Sequence, residues 1–442
     1  MKTNCIFLIF WLYSGIVYSQ TWDSVDTGIN GGVYSLAVYN QKLYTGGQFT
    51  IAGGISANNI TRWDGTSWEA LGTGTGGGGF VHAFALYDGY LIVGGLFSFA
   101  NGIQTRSIAK WDGTNFSTIG PGSTGAGGPT TRVNCLTVYN NGLDAGGNFS
   151  IVDGINANRI AKWDGISWSP LGSGIYTDDF SYVRCMAVYD GVLYVGGNFG
   201  DAGNVSANNI AKWDGSSWSA IGDGINGAVF SLCVYNDELY AAGNFSSVNG
   251  IAASRIAKWD GSDWTEVGGG MNGSISYLYE FDSELYAGGS FTTAGGVTAN
   301  YIAKWDGINW SALGVGVDST VSALCAYNNQ LYVGGLFSNA GGVQASRIAR
   351  WTPEGIGINE NGKKVEVAVF PNPFSAATTL TLNKEVINAV VSVYTIQGKE
   401  VRNIKFSEKN VILEKGDLAG GIYFYKIKSP NEVIATGKLI IQ

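Results

Sequence analysis

Two carboxylates side by side, Asp178 and Asp179, stand in the run GSGIYTDDFSYV from Gly172 to Val183. A carboxylate pair is the equipment of glycoside hydrolysis, one member protonating the leaving oxygen while the other serves as base or nucleophile. Neighbouring residues of an extended segment point to opposite sides, however, so adjacency in sequence is a poor route to such a pair. The surroundings suit binding better than bond breaking. Tyr176, Phe180 and Tyr182 offer ring faces and hydroxyls, and Arg132, closing the long loop GPGSTGAGGPTTRV, offers a cation. A second polar set, Arg159, Arg255, Tyr301 and Arg347, occupies one recurring loop position that Asn59, Ser107 and Asn209 fill elsewhere. These residues are the candidate ligand contacts, and no catalytic residue is assigned.

Other chemistry is sparse. The single histidine, His82, sits in an inner strand, where packing or lining a channel suits it. Acidic clusters can hold calcium, but neither EF-hand nor glycine-aspartate nonapeptide spacing occurs, and no metal or other cofactor is expected.

The elements that must position these groups are repeats. Trp63, Trp111, Trp163, Trp213, Trp259, Trp305 and Trp351 recur every 46 to 52 residues in IAKWDG-like contexts. A second aromatic follows five residues later, from Trp68 and Phe116 to Trp310, except after Trp351. Trp22 has the opposite defect: it is a second-type tryptophan with no first-type one before it. Each unit reads as four strands, such as VYSLAVYN, KLYTGGQF, NNITRW and SWEALG, with tight turns after the first and third. Short strands repeated at this period predict a seven-bladed β-propeller, closed by giving the strand Gln20 to Ile29 to the blade that ends at Trp351. Tryptophans, paired glycines and Asp-Gly turns present in every unit are scaffold. A single ligand breaks the repeat symmetry, and variation concentrates in two loop sets on one face: outer strand to next inner strand, and second strand to third.

The glycine pair ending the second strand (Gly46-Gly47, Gly94-Gly95, Gly146-Gly147, Gly196-Gly197, Gly288-Gly289, Gly334-Gly335), followed by the aromatics five apart, resembles the kelch repeat over residues 20 to 351. Ala242-Gly243 departs from it. Some kelch-like propellers are enzymes, and galactose oxidase holds copper with histidines and tyrosines; with one histidine, that site does not carry over. The Asp box of sialidase propellers, SxDxGxxW, has a residue between Asp and Gly that WDG lacks. An extracellular carbohydrate-active enzyme is thus the alternative to a binding module.

Composition agrees with an all-β chain: 67 glycines against 7 prolines among 442 residues, without a collagen period, call for many tight turns. Lys2, an apolar run from Ile6 to Val17 and small residues before Gln20 have the layout of a signal peptide over residues 1 to 19. That run is too short to span a membrane, and no other is longer. A net charge of −8 disfavours nucleic acid or anionic membrane as partner. Cys135, Cys185, Cys233 and Cys325 fall at inner-strand positions that otherwise hold small packing residues. Equivalent positions of neighbouring blades lie about 10 Å apart, beyond the roughly 7 Å a disulfide spans, so free thiols are expected.

After Trp351, residues 352 to 364 read as a linker, and a small alternating β domain, expected to be a β-sandwich, follows over 365 to 442. Its segments VEVAVFPNPF, SVYTIQGKEV, LAGGIYFYKI and GKLIIQ resemble, in order and spacing, the sorting domain of the type IX secretion system. The resemblance implies a Bacteroidetes-type source, engagement of the secretion machinery through this domain, and a product released or attached to the outer cell surface.

Overall fold

The computed structural model describes residues 21–120, 131–176, 178, 180–352, 367–383, 385–386, 389–395, 400–428 and 433–441. The expected signal peptide, Asp179 and all of the expected linker but Thr352 lie outside them. The chain divides into two compact units, Met1–Pro353 and Glu354–Gln442. Among the described residues every regular element is a strand, and no helix is long and apolar enough to cross a membrane.

The first unit repeats one four-stranded antiparallel sheet. In the sheet nearest the start, Gly32–Tyr39 is innermost, followed by Lys42–Gln48, Ile60–Trp63 and Trp68–Ala70. The sheet built of Tyr182–Tyr189, Val192–Asn198, Ile210–Trp213 and Trp218–Ala220 has the same order. Cross-strand pairing sets leucine against the first tryptophan and that against the second aromatic, as in Leu43↔Trp63 and Trp63↔Trp68. The paired rings lie 4.6 to 5.6 Å apart and tilted, an arrangement that adds to the energy of burying them. One sheet differs in ancestry. Val321–Tyr327, Gln330–Gly335 and Ile348–Thr352 take their outer strand from Thr21–Ser24, with Trp22 opposite Trp351 and Asp23 opposite Arg350. Trp22 donates its indole N–H to the Leu313 carbonyl at 2.9 Å, as Trp218 does to Leu171 at 2.8 Å, so the borrowed strand makes the bond its counterpart makes.

The repeated residues show why the sheets form and pack. In the WDG turn the Asp64 carboxylate accepts the amides of Thr66 and Ser67 at 2.7 and 2.8 Å, and Gly65 adopts φ +104°, which a side chain would resist. Equivalent bonds from the amides of Asp263 and Ser262 hold the Asp260 carboxyl down to about 2. The first glycine of each pair marks where the next sheet arrives: a Cβ on Gly46 would meet Val81 Cγ1 at 2.5 Å, and one on Gly334 would meet Val33 Cγ1 at 2.4 Å. Each inner strand packs on the next in chain order, and the strand from Val321 packs on the one from Gly32. In several sheets the basic residue before the tryptophan reaches a carboxylate on its own sheet: Arg62 to Glu69 at 2.6 Å, Lys258 to Glu238 and Lys304 to Glu284 at 2.9 Å; Lys162 instead donates to the Tyr139 and Asn140 carbonyls. The four cysteines among the described residues are free, and burial pushes the thiols of Cys135 and Cys233 up to about 12.

The second unit packs a three-stranded sheet (Val367–Phe370, Ala377–Leu382, Asn410–Glu414) through one core with a four-stranded sheet (Ala389–Thr395, Glu400–Phe406, Gly421–Lys428, Val433–Ile441). Leu380, Leu413, Val391, Val393, Ile427 and Leu439 are fully buried between them.

Candidate ligand-binding face

The two loop sets do lie together, welded by backbone pairing. The second-to-third connections form two-stranded hairpins such as Ile51–Ala52 with Ile55–Ser56. The outer-to-inner connections bridge to them at Ile29↔Ala52, Ile175↔Ala202, Ile225↔Val248, Met271↔Ala294 and Val317↔Ala340. The face is therefore a set of tied loops, and differences in side chain and loop length are what distinguish one sector from another.

The recurring polar position is mostly structural. Asn59, Ser107, Arg159, Asn209, Arg255, Tyr301 and Arg347 all adopt positive φ between 62° and 73°, which turns the side chain back toward the end of the second strand. Arg159 Nη1 donates to the carbonyls of Asn148 and Phe149, both at 3.3 Å. Arg255 Nη1 does the same to Asn244 and Phe245 at 3.1 and 2.8 Å, and Arg347 Nη1 to Leu336 and Phe337. Tyr301 is half-buried against the core of the neighbouring sheet. These side chains hold the loops.

Among the described residues of the loop from 172 to 183 there is a division of labour. Arg159 is buried, and its Nε and Nη2 donate to the carbonyls of Ser181 (2.8 Å) and Asp178 (3.4 Å) while the guanidinium lies 5.7 Å from the Tyr176 ring. The Asp178 carboxylate accepts the Phe180 amide at 3.0 Å and the Ser181 hydroxyl at 3.1 Å, so it shapes a turn. What remains for a ligand is apolar surface: Phe180 is 82% exposed and Tyr176 47%. Tyr182 is half-buried, and burial raises its phenol above the ordinary value.

Sequence reasoning missed a second feature of this face. Every inner strand carries a bulge one residue after its first valine or isoleucine, where the register skips a residue. The skipped residues, Tyr34, His82, Asn134, Arg184, Phe230, Ser276 and Ser322 in chain order, are no longer bound by strand alternation. They line a cavity of about 160 Å³ near the start of the inner strands, with Leu36, Phe84, Leu136, Met186, Leu232 and Leu278 also among its lining. Arg184 Nη1 lies 3.2 Å from His82 Nδ1, and the His82 ring stacks on Tyr34 at 5.3 Å. His82 thus lines the cavity, and burial first, then Arg184, holds its pKa well below the usual histidine value. The signal was present: among the inner-strand positions, this slot changes character from blade to blade.

Residues 368–442 match the family model of the secretion system C-terminal sorting domain. Residues 328–355 match that of a β-propeller domain of unknown function, DUF5122. The curated proteins include no match. Among solved structures the chain is similar to PorZ, an essential bacterial surface component of the type-IX secretion system of Porphyromonas gingivalis: 12% identity, 95% of this chain and 60% of that one, TM-score 0.44. It is also similar to the extracellular domains of the two-component systems BT3049 and BT4673 of B. thetaiotaomicron. The first has 12% identity, coverage of 96% and 57%, and TM-score 0.49; the second has 11%, 96% and 59%, and 0.47. The chain spans about three-fifths of the length of these solved chains. The first unit has propeller-type sheets, and the second is a sorting domain that engages the secretion machinery. The chain is therefore secreted, with its station at the outer cell surface.

Proposed function

We propose that the chain is a cell-surface binding module exported by the type IX system, its ligand a glycan or a protein held on the face of tied loops. In this reading residues 20 to 351 form a seven-bladed, kelch-like propeller closed by its first and last strands, preceded by a signal peptide over 1 to 19. A linker over 352 to 364 leads to the sorting domain at 365 to 442. The pairing of Trp22 with Trp351 and the packing of Gly334 on Val33 support closure. The observation that carries the binding reading is the contrast within one loop: Arg159 and Asp178 are consumed in holding it, and they hold Tyr176 and Phe180 outward. Exposed aromatic rings on a hydrogen-bonded loop are the equipment of a binding site. The hydrolase alternative is weakened because the Asp178 carboxylate is engaged in its own turn.

The test is a glycan array, with surface-protein extracts in parallel, probed with the chain and with a variant carrying Tyr176→Ala, Phe180→Ala and Tyr182→Ala. Loss of at least tenfold in affinity with an unchanged melting temperature is expected. Full retention of binding would move the site off this loop.

A further inference from the structure

We infer that the axial cavity is a site for one carboxylate-bearing sugar residue, a hexuronate, gripped through its carboxylate by Arg184. This rests on the binding-module reading and names a ligand class for it.

The argument begins with an unbalanced charge. A guanidinium carries five N–H donors and cannot lose its proton in a protein. One donor of Arg184 is directed at His82 Nδ1. Among the described residues no carboxylate lines the cavity, and the ion pairs found elsewhere in the molecule include neither Arg184 nor Arg132. Arg132 adds a second positive charge acting on Arg184, and its buried Nε has no hydrogen-bond partner. Asn134 is 4% exposed; its Nδ2 donates to the Val183 carbonyl while its Oδ1 has no partner. Desolvated cations and amides left unpaired are costly, and this cluster offers what an incoming acid lacks: a planar fork for a carboxylate and an acceptor for a hydroxyl.

The rest of the lining selects the body of the ligand. Across the ring from the cations stand the hydroxyls of Ser276 and Ser322, and Tyr34 and Phe230 supply aromatic wall. An inorganic anion would use the fork and waste the apolar and aromatic surface. A sugar ring uses both.

The experiment is calorimetric titration of the full chain with glucuronate, galacturonate, glucose and inorganic phosphate, repeated on Arg184→Gln and Arg184→Lys. Near-ultraviolet circular dichroism reports whether each variant keeps its fold. A uronate should bind at millimolar affinity or better, with glucose at least tenfold weaker. Arg184→Gln should lose tenfold or more, and Arg184→Lys, which keeps charge without the fork, should fall between. Equal binding of glucose, unchanged uronate affinity in Arg184→Gln, or phosphate binding as tightly as uronate would overturn the assignment. If Arg184→Gln does not fold, Arg184→Lys carries the test: unchanged uronate affinity there would overturn the fork. Array binding that survives in Arg184→Gln would overturn the cavity while leaving the binding module standing. An array and extract screen without any hit would overturn the module itself.

Discussion

Asp144 is the residue most at odds with its surroundings. Its slot in the second strand holds Tyr44, Ile92, Tyr194, Tyr240, Tyr286 and Tyr332 in the other repeats, and it is fully buried with neither carboxylate oxygen hydrogen-bonded. Burial pushes its pKa up to about 7 against the pull of Lys162. A raised carboxyl pKa means the folded state holds a proton that the unfolded chain has already released. The associated stability is fully present below about pH 4, the unfolded value, and is lost as pH rises to about 7. Asp144→Asn should therefore gain on the native protein across that window and hold an advantage of about 4 kcal/mol above pH 7. Paired urea denaturations from pH 4 to 8 check this; a difference that does not grow with pH would show the carboxyl to be ionised in the fold. The oddity of Asp144 is legible in the repeat alignment, whereas its burial is not. The cavity residues show in sequence only as one inner-strand slot that changes character from blade to blade. They sit on bulges, and a bulge leaves no mark in a period-two pattern, so His82 reads as a packed or channel-lining residue and Arg184 goes unnoticed. Arg159, Arg255 and Arg347 donate to carbonyls at the end of the second strand, and a variable polar loop residue looks the same in sequence whether it faces a ligand or a carbonyl.

At the level of the sheet, the glycine pair separates two kinds of close approach. A Cβ at Gly46 would press on the side chains of Ser35, Val81 and Phe84, whereas one at Gly47 would come 2.0 Å from the Gly32 carbonyl oxygen. Side chains can yield and a paired backbone cannot, so Gly46→Ala should cost about 1–3 kcal/mol and Gly47→Ala more. Chemical denaturation of the two variants gives the order, and equal costs would mean that the strand itself shifts. Ala242 shows that the first position can be built with a methyl group, since it is fully buried in the equivalent place. Strand identity and order were legible because tryptophan, glycine pair and Asp-Gly turn recur with each sheet. The bridges between loop and hairpin, such as Ile225↔Val248, join segments by backbone groups alone, which no side-chain pattern reports.

For the whole molecule, the borrowed strand and the sorting domain carry the decisive tests. Trp22 is 6% exposed, and Trp22→Ala should cost about 3–5 kcal/mol, as a core tryptophan does. Deleting residues 20 to 30 should expose a sheet edge and promote aggregation. Light scattering and melting curves read both, and a deletion variant that stays monomeric with an unchanged melting temperature would refute closure. Removing 365 to 442 should leave a folded propeller inside the outer membrane; cell fractionation decides, and normal amounts outside the cell would refute the sorting role. The pairing at the two ends of the first unit also has a mechanical side. In the sheet that ends the first unit, the chain departs toward the sorting domain from Ile348–Thr352, which lies between Gln330–Gly335 and Thr21–Ser24. Without Thr21–Ser24 this strand would be a free edge, and drag on a surface tether would peel it from a single ladder. With it, tension entering at Thr352 is gripped on both sides, so the segment that bears the load is an interior strand.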